Sequence, residues 1–213
     1  MRHANAIAGQ RMNDDVSSFS LAADRSFGAV DTALGLTLMQ EDRTLLGGRF
    51  HNAFGLSGAD TLFLDAEAGW RFADGWRLGG SLRQGFTRAR DGGLVADGSR
   101  LFSRAWSLDL QREGALLPGD ALGLRISQPL RVESGGLNLS LPQSWDYTTL
   151  TAGYGVETLS LSPQGRELSS ELSWRTSLWG GSAGTSLFWR KDPGHYRDLP
   201  DDKGVAVRWA TGF

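Results

Sequence analysis

Residues 166–178, RELSSELSWRTSL, decide how the chain is to be read. Leu168, Leu172, Trp174, Thr176 and Leu178 fall on one side of a two-residue period, and Glu167, Ser169, Glu171, Ser173, Arg175 and Ser177 on the other. Successive side chains of a strand point to opposite faces, so this stretch carries one apolar face along its whole length. A helical period would not collect these residues on one stripe, and helix interiors disfavour so many Gly, Ser and Thr.

The alternation recurs along the chain. GDALGLRISQPLRV (119–132) sets Leu122, Leu124, Ile126, Leu130 and Val132 against Ala121, Gly123, Arg125, Ser127 and Arg131. TLFLDAEAGWRF (61–72) sets Leu62, Leu64, Trp70 and Phe72 against Asp65, Glu67, Gly69 and Arg71. In GWRLGGSLRQGFTR (75–88), Trp76, Leu78, Leu82 and Phe86 oppose Arg77, Gly79, Ser81 and Arg83. In LFSRAWSLDLQ (101–111), Phe102, Trp106, Leu108 and Leu110 oppose Ser103, Ala105, Ser107 and Asp109, with Arg104 as an exception on the apolar side. SAGTSLFWR (182–190) and KGVAVRWATGF (203–213) continue the pattern, and residues 15–24 and 29–40 follow it more weakly.

The connections have a rhythm. Those near 24–28, 73–75, 114–119 and 179–181 are short, whereas 42–58, 90–99 and 192–202 are long and polar. Short turns alternate with long loops if residues 133–164 form one large loop or hairpin. GLNLSLP (136–142) is shorter than the ~9–11 residues of a tilted spanning strand, and Leu137–Leu141 with Thr158–Leu161 reads as a projecting hairpin. Nine spanning candidates remain. Single-chain outer-membrane barrels favour even strand numbers, which predicts a further strand within residues 1–14 or upstream. The expected fold is all-β: a transmembrane antiparallel up-and-down barrel of about 10 strands (range roughly 8–12) over residues 15–213, after a leader or upstream remnant at 1–14.

Composition fits that reading. The net charge of −2, from 22 basic and 24 acidic residues, gives no basic excess for nucleic acid. There is no Cys, and His3, His51 and His195 are far apart in sequence, so neither a disulfide framework nor a metal cluster is expected, and no cofactor. No apolar run reaches the ~20 residues of a spanning helix, and MRHANAIAGQRMNDD (1–15) lacks the ~7–15-residue apolar stretch of a secretion signal.

Two faces must then be told apart. Asp65, Glu67, Asp109, Glu167 and Glu171 stand with Arg71, Arg83, Arg125, Arg175, Arg190 and Arg208 on the polar side. Mixed signs among Gly, Ala and Ser predict a small lumen crossed by ion pairs, not a pore selective for one sign. Trp70, Trp76, Trp106, Trp174, Trp189 and Trp209 all fall on the apolar side, as interfacial aromatics of a membrane barrel do. A soluble β-sandwich binding carbohydrate or peptide is the alternative, since its strands also alternate.

No catalytic constellation is legible. GTSLF (184–188) is similar to the Gly-Thr-Ser stretch around a subtilisin-type serine, but Ser186 sits in an alternating segment and no His-Gly-Thr occurs. Glu167 and Glu171 would lie ~13 Å apart on a strand, too far for a glycosidase pair.

GDALGLRISQPLRVESGGLNLSLP (119–142), LSLSPQGRELSSELSW (159–174), LFWRKDPGH (187–195) and DDKGVAVRWATGF (201–213) together resemble the C-terminal region of subtilisin-like serine proteases of sphingomonad-type Gram-negative bacteria. The resemblance covers most of residues 28–213. It implies an autotransporter-like barrel in the outer membrane, anchoring and exporting a covalently linked N-terminal passenger, with outer-membrane lipid and the barrel-assembly machinery as partners. Protease activity would belong to that passenger, because none of the family's catalytic motifs can be placed on this chain. Val207, Trp209 and Phe213 share one face of the last strand, and an aromatic terminal residue resembles the assembly signal of such barrels.

Overall fold

The computed structural model describes residues 4–7 and 16–211. Its strands are β1 (Ala4–Ile7), β2 (Val16–Phe27), β3 (Val30–Glu41), β4 (Thr44–Leu45), β5 (Gly48–Arg49), β6 (Ala59–Ala73), β7 (Trp76–Ala89), β8 (Arg100–Glu113), β9 (Ala121–Asp146), β10 (Thr151–Ser160), β11 (Leu168–Leu178), β12 (Gly181–Lys191) and β13 (Asp202–Ala210). β4 and β5 pair only with each other, and the rest form one antiparallel sheet. Its order is β1-β2-β3-β6-β7-β8-β9-β11-β12-β13, with β10 lying off this path against β9. With the insertions set aside, this is a ten-strand up-and-down meander. Phe213 and residues 1–3 and 8–14 lie outside the described residues; of the segment read as a leader, Ala4–Ile7 form β1, and Val207 and Trp209 of the assembly signal lie on β13.

The turns follow local chemistry. Trp179 and Gly180 both have positive φ (51° and 70°), the backbone of a two-residue type I′ hairpin. Asp74-Gly75 joins β6 to β7 with Gly75 at φ 69° and a register shift beside it, a turn with a bulge. The first turn differs from expectation. Asp24, Arg25 and Ser26 read as turn residues but continue β2, and the chain reverses at Gly28-Ala29. The reason is a cross-strand clasp, in which Ser26 donates to Asp31 at 2.8 Å.

Registers align the apolar positions into one continuous face. Phe19 pairs Leu38, Leu38 pairs Leu62 and Leu62 pairs Phe86, while Leu124 pairs Leu172, Leu172 pairs Leu187 and Leu187 pairs Val205. These side chains stay exposed: Leu34 is 65% accessible, Leu108 54% and Val207 76%. The opposite face is concave. One cavity of about 430 Å³ is lined by residues from Asp24 on β2 to Arg125 on β9, which a flat six-strand span could not share. No second sheet covers the apolar face among the described residues.

The meander is open. β1 and β13 are its edges, and no pairing among the described residues joins them. β1 contributes four residues against Ser20–Ala23, and among the described residues the rest of the outer edge of β2 has no strand partner.

β9 carries 26 residues and serves two roles. Its first part pairs with β8 and β11 inside the meander. Its far part pairs with β10 from Gly136↔Ser160 to Asp146↔Thr151, forming a hairpin arm. The buried core sits at this end of the molecule, not across the meander: Leu45, Leu56, Ala59, Ala89, Val95, Leu101, Leu137 and Leu139 form it.

Candidate functional site

The convex face has an aromatic row near each end. At the short-turn end stand Phe27, Trp70, Phe72, Trp76, Trp179 and Trp209, with ring centroids 5.4 Å apart for Trp70–Phe72 and 6.0 Å for Phe72–Trp76. Toward the long-loop end stand Phe19, Phe86, Phe102 and Trp189, with Phe86 and Phe102 in edge contact at 5.5 Å. Trp76 and Phe86 lie ten positions apart on β7, ~33 Å along the strand. At a tilt of ~35–45° this separates the rows by roughly 23–27 Å, close to the apolar band of an outer-membrane barrel.

Indole N–H groups near the strand ends find polar partners. Trp174 donates to Asp120 at 2.7 Å, Trp189 to Asp201 at 3.0 Å and Trp209 to the Leu178 carbonyl at 3.2 Å. A ring with an outward apolar body and a satisfied polar tip suits a boundary between lipid and water. Asp120, in the β8–β9 turn, also accepts the amides of Ala115, Leu116 and Leu117. The Trp174 indole foremost, then those amides, hold its carboxyl below the usual carboxylate range. Trp106, half-buried like Trp76 and Trp174, lies in register with Gln128, beside a bulge in the β8–β9 ladder.

On the concave face, register decides which charges meet. Asp65 pairs across β6–β7 with Arg83 (2.6 Å), and Asp109 across β8–β9 with Arg125 (2.5 Å). Glu171 is the register neighbour of Arg125 on the other side. Arg71 pairs with Asp31 at 2.7 Å, a partner that strand-by-strand reading missed because Asp31 stands at the start of β3. Arg77 lies over Gly69, where a Cβ would fall 2.6 Å from its guanidinium, so a side chain there would displace the arginine's flexible end. Glu67, Arg175 and Arg208 form no ion pair among the described residues. Arg175 and Arg208 flank Gly184 in one row. Ser186 lies in β12, in register with Ser173 and Ala206.

Glu167 does not belong to this ladder. It precedes β11, is 3% exposed, and accepts from Arg190 Nε (2.8 Å), Gly194 N (2.6 Å) and Ser169 Oγ (3.1 Å). Arg190 also reaches Asp202 at 3.3 Å. His195 accepts the Glu167 amide at Nδ1 (2.9 Å), and its Nε2 lies 3.1 Å from the Leu130 carbonyl, so Nε2 carries the proton and donates. This knot ties the 192–201 loop to the start of β11 and to β9.

Two of the loops read as long and polar, 42–58 and 90–99, also carry side chains of the core. Leu45, Phe50, Phe54 and Leu56 turn inward from the 42–58 loop, and Val95 from the 90–99 loop. They cover the concave side of β6, β7 and β8, where Ala59, Phe63, Ala89 and Leu101 replace the charges found nearer the turns. Backbone bonds join the pieces: Leu94 N donates to Phe54 O, Ala96 N to Asn138 O and Ser140 N to Leu94 O. Gly93 (φ 56°) packs on Gly55 so closely that a Cβ would sit 2.6 Å from the Gly55 Cα.

Buried polar groups fix the rim. Glu41, 1% exposed, accepts from Thr44 Oγ1 (3.0 Å) and from the amides of Leu46 and Gly47 (both 2.7 Å). Arg90 donates to the Glu41 carbonyl. At the arm's base Glu133 takes Arg166 (2.7 Å) and Arg131 (2.8 Å), and Arg131 also binds the carbonyls of Pro163 and Gly165. The Arg166 guanidinium foremost holds the Glu133 carboxyl below its usual range. The apolar residues of 42–58 were the one available cue to this core, since a loop with five large hydrophobic side chains is poorly suited to water. No protein-family model, curated protein or solved structure matches the chain.

Proposed function

We propose that this chain is an outer-membrane β-barrel that anchors an N-terminal passenger at the cell surface. The observation that carries the reading is the apolar convex face: it extends from β2 to β13, broken by Gln84 and Arg104, with large side chains such as Phe19, Leu34, Leu108 and Val207 left more than 40% exposed. Soluble monomers expose apolar patches of only ~300–600 Å², so a face of this extent needs a solvent of its own, and lipid is the one that fits an aromatic-bounded band. Open strand edges are costly in hydrocarbon because their N–H and C=O groups have no partner. In the membrane, β13 therefore closes against the β1–β2 edge, and the ion pairs of the concave face become the lining of a narrow lumen.

The passenger is of the subtilisin-like protease class, by the resemblance of residues 28–213, and hydrolysis belongs to it. Assembly into the outer membrane requires the barrel-assembly machinery to accept the C-terminal strand. Refolding the chain into detergent and comparing boiled and unboiled samples by electrophoresis tests the reading. A faster-running unboiled species that also floats with lipid vesicles is expected; a chain that folds to a monomer in water without detergent refutes it.

A further inference from the structure

We infer that the barrel is a sealed anchor and not an open conduit, because an apolar plug built from its own long loops closes the concave channel at the long-loop end. This rests on the barrel reading proposed above. The concave face has two layers of opposite character. Nearer the short turns it is charged and open, with Asp31, Asp65 and Asp109 paired to partly exposed arginines, and Asp31, Asp109 and Arg125 lining a cavity. Nearer the long loops it is dry: Ala59 and Leu137 are 0% exposed, Val95 3%, Leu45, Ala89 and Leu101 4%, and Phe63 6%. The polar groups buried in this layer are few, among them Glu41, held by Thr44 and the loop amides, and the hydroxyls of Thr61, Thr87 and Ser103, so it offers an ion no continuous polar path.

The plug comes from three separate segments, and each is latched by polar contacts. Glu41 and Arg90 hold the 42–58 loop, and Ser57 Oγ donates to the Asp91 carbonyl at 2.7 Å to join it to the second loop. Ser99 Oγ accepts the Asn138 amide at 2.9 Å while donating to Ala96 O, which fixes the second loop to the arm. Glu133, Arg131 and Arg166 brace the arm's base. Seating needs all three segments at once, so a passenger that traverses this barrel must do so before the loops dock, and the docked state is the resting state.

The test uses the chain refolded into phosphatidylcholine vesicles loaded with a small anionic dye. Wild type is expected to leak within about twofold of protein-free vesicles. The double substitution Leu56→Asp with Val95→Asp, checked for a retained heat-modifiable band, is expected to raise leakage tenfold or more. Leakage by wild type itself overturns the plug while leaving the barrel reading intact, as does a double variant that keeps the band and stays tight, since the ion-pair layer would then be the seal. If that variant loses the band, Val95→Cys answers instead. It should resist a membrane-impermeant maleimide that labels Tyr147→Cys on the 84% exposed arm tip, and equal labelling overturns the plug. A wild-type chain that neither floats with vesicles nor shows a heat-modifiable band removes the barrel and this inference together.

Discussion

Leu108 and Leu150 are both leucines exposed beyond half of their surface, 54% and 71%, and water would treat them alike. In water, Leu→Arg at either site would change stability by no more than ~0.5 kcal/mol, as surface substitutions do. The sheet places them differently. Leu108 sits on the convex face between Phe102 and Arg112, so it lies near the middle of the band between the aromatic rows. Leu150 caps the β9–β10 arm, beyond that band. An arginine at the midplane of a barrel's lipid face costs ~2–4 kcal/mol, and one outside the membrane ~0–1 kcal/mol. Leu108→Arg should therefore lower the folding constant in vesicles by roughly 30- to 1,000-fold, and Leu150→Arg by less than about fivefold. Guanidinium titration of vesicle-bound chain, followed by Trp emission, reads both. Equal effects at the two sites, within ~0.5 kcal/mol, would refute a lipid-facing convex surface.

Three further outcomes follow from particular contacts. Glu41→Gln removes the charge from a buried acceptor of three hydrogen bonds and should destabilise the long-loop end by ~1.5–3 kcal/mol, seen as faster amide exchange at Leu46 and Gly47 with the strand cores unchanged. Gly85→Ala puts a methyl 2.8 Å from the Phe63 ring and beside Ser103, and the overpacking should cost ~1–3 kcal/mol, whereas Gly114→Ala, with no neighbour within 4 Å, tests only its φ of 62°. Glu133 has a depressed folded-state pKa, so its contribution is fully present above the unfolded carboxylate range and is lost as pH falls through the lower folded value. Exchange protection at the arm's base should decline on acidification from about pH 5 downward, and Glu133→Gln should flatten that dependence without moving the rest of the profile.

What was legible in the sequence is what depends on neighbours along the chain. Alternation in 166–178 fixes the faces of β11, and Asp74-Gly75 and Gly180-Gly181 mark hairpins, because period and turn chemistry are local. The 24–28 turn misled because Asp24 and Ser26 carry the same composition as a turn, and only Asp31 across the hairpin reveals them as strand. Ion pairs were legible as a set but not as couples: Arg71 meets Asp31, forty residues away, through sheet register. The same limit hid Glu167, whose burial is made by the 192–201 loop folding back onto it. The plug is the extreme case, since Leu45, Val95 and Leu137 come together only once β6–β9 are in place.

The central claim is that the even- and odd-numbered residues of β8 see different solvents. Nitroxide labels placed singly at Ala105, Trp106, Ser107, Leu108, Asp109 and Leu110, in chain refolded into vesicles, measure this through power saturation with oxygen and with a water-soluble nickel chelate. Trp106, Leu108 and Leu110 should be oxygen-accessible and shielded from nickel, while Ala105, Ser107 and Asp109 should show the reverse, with a two-residue period along the strand. Equal nickel accessibility at Leu108 and Ser107, with no such period, would contradict the account.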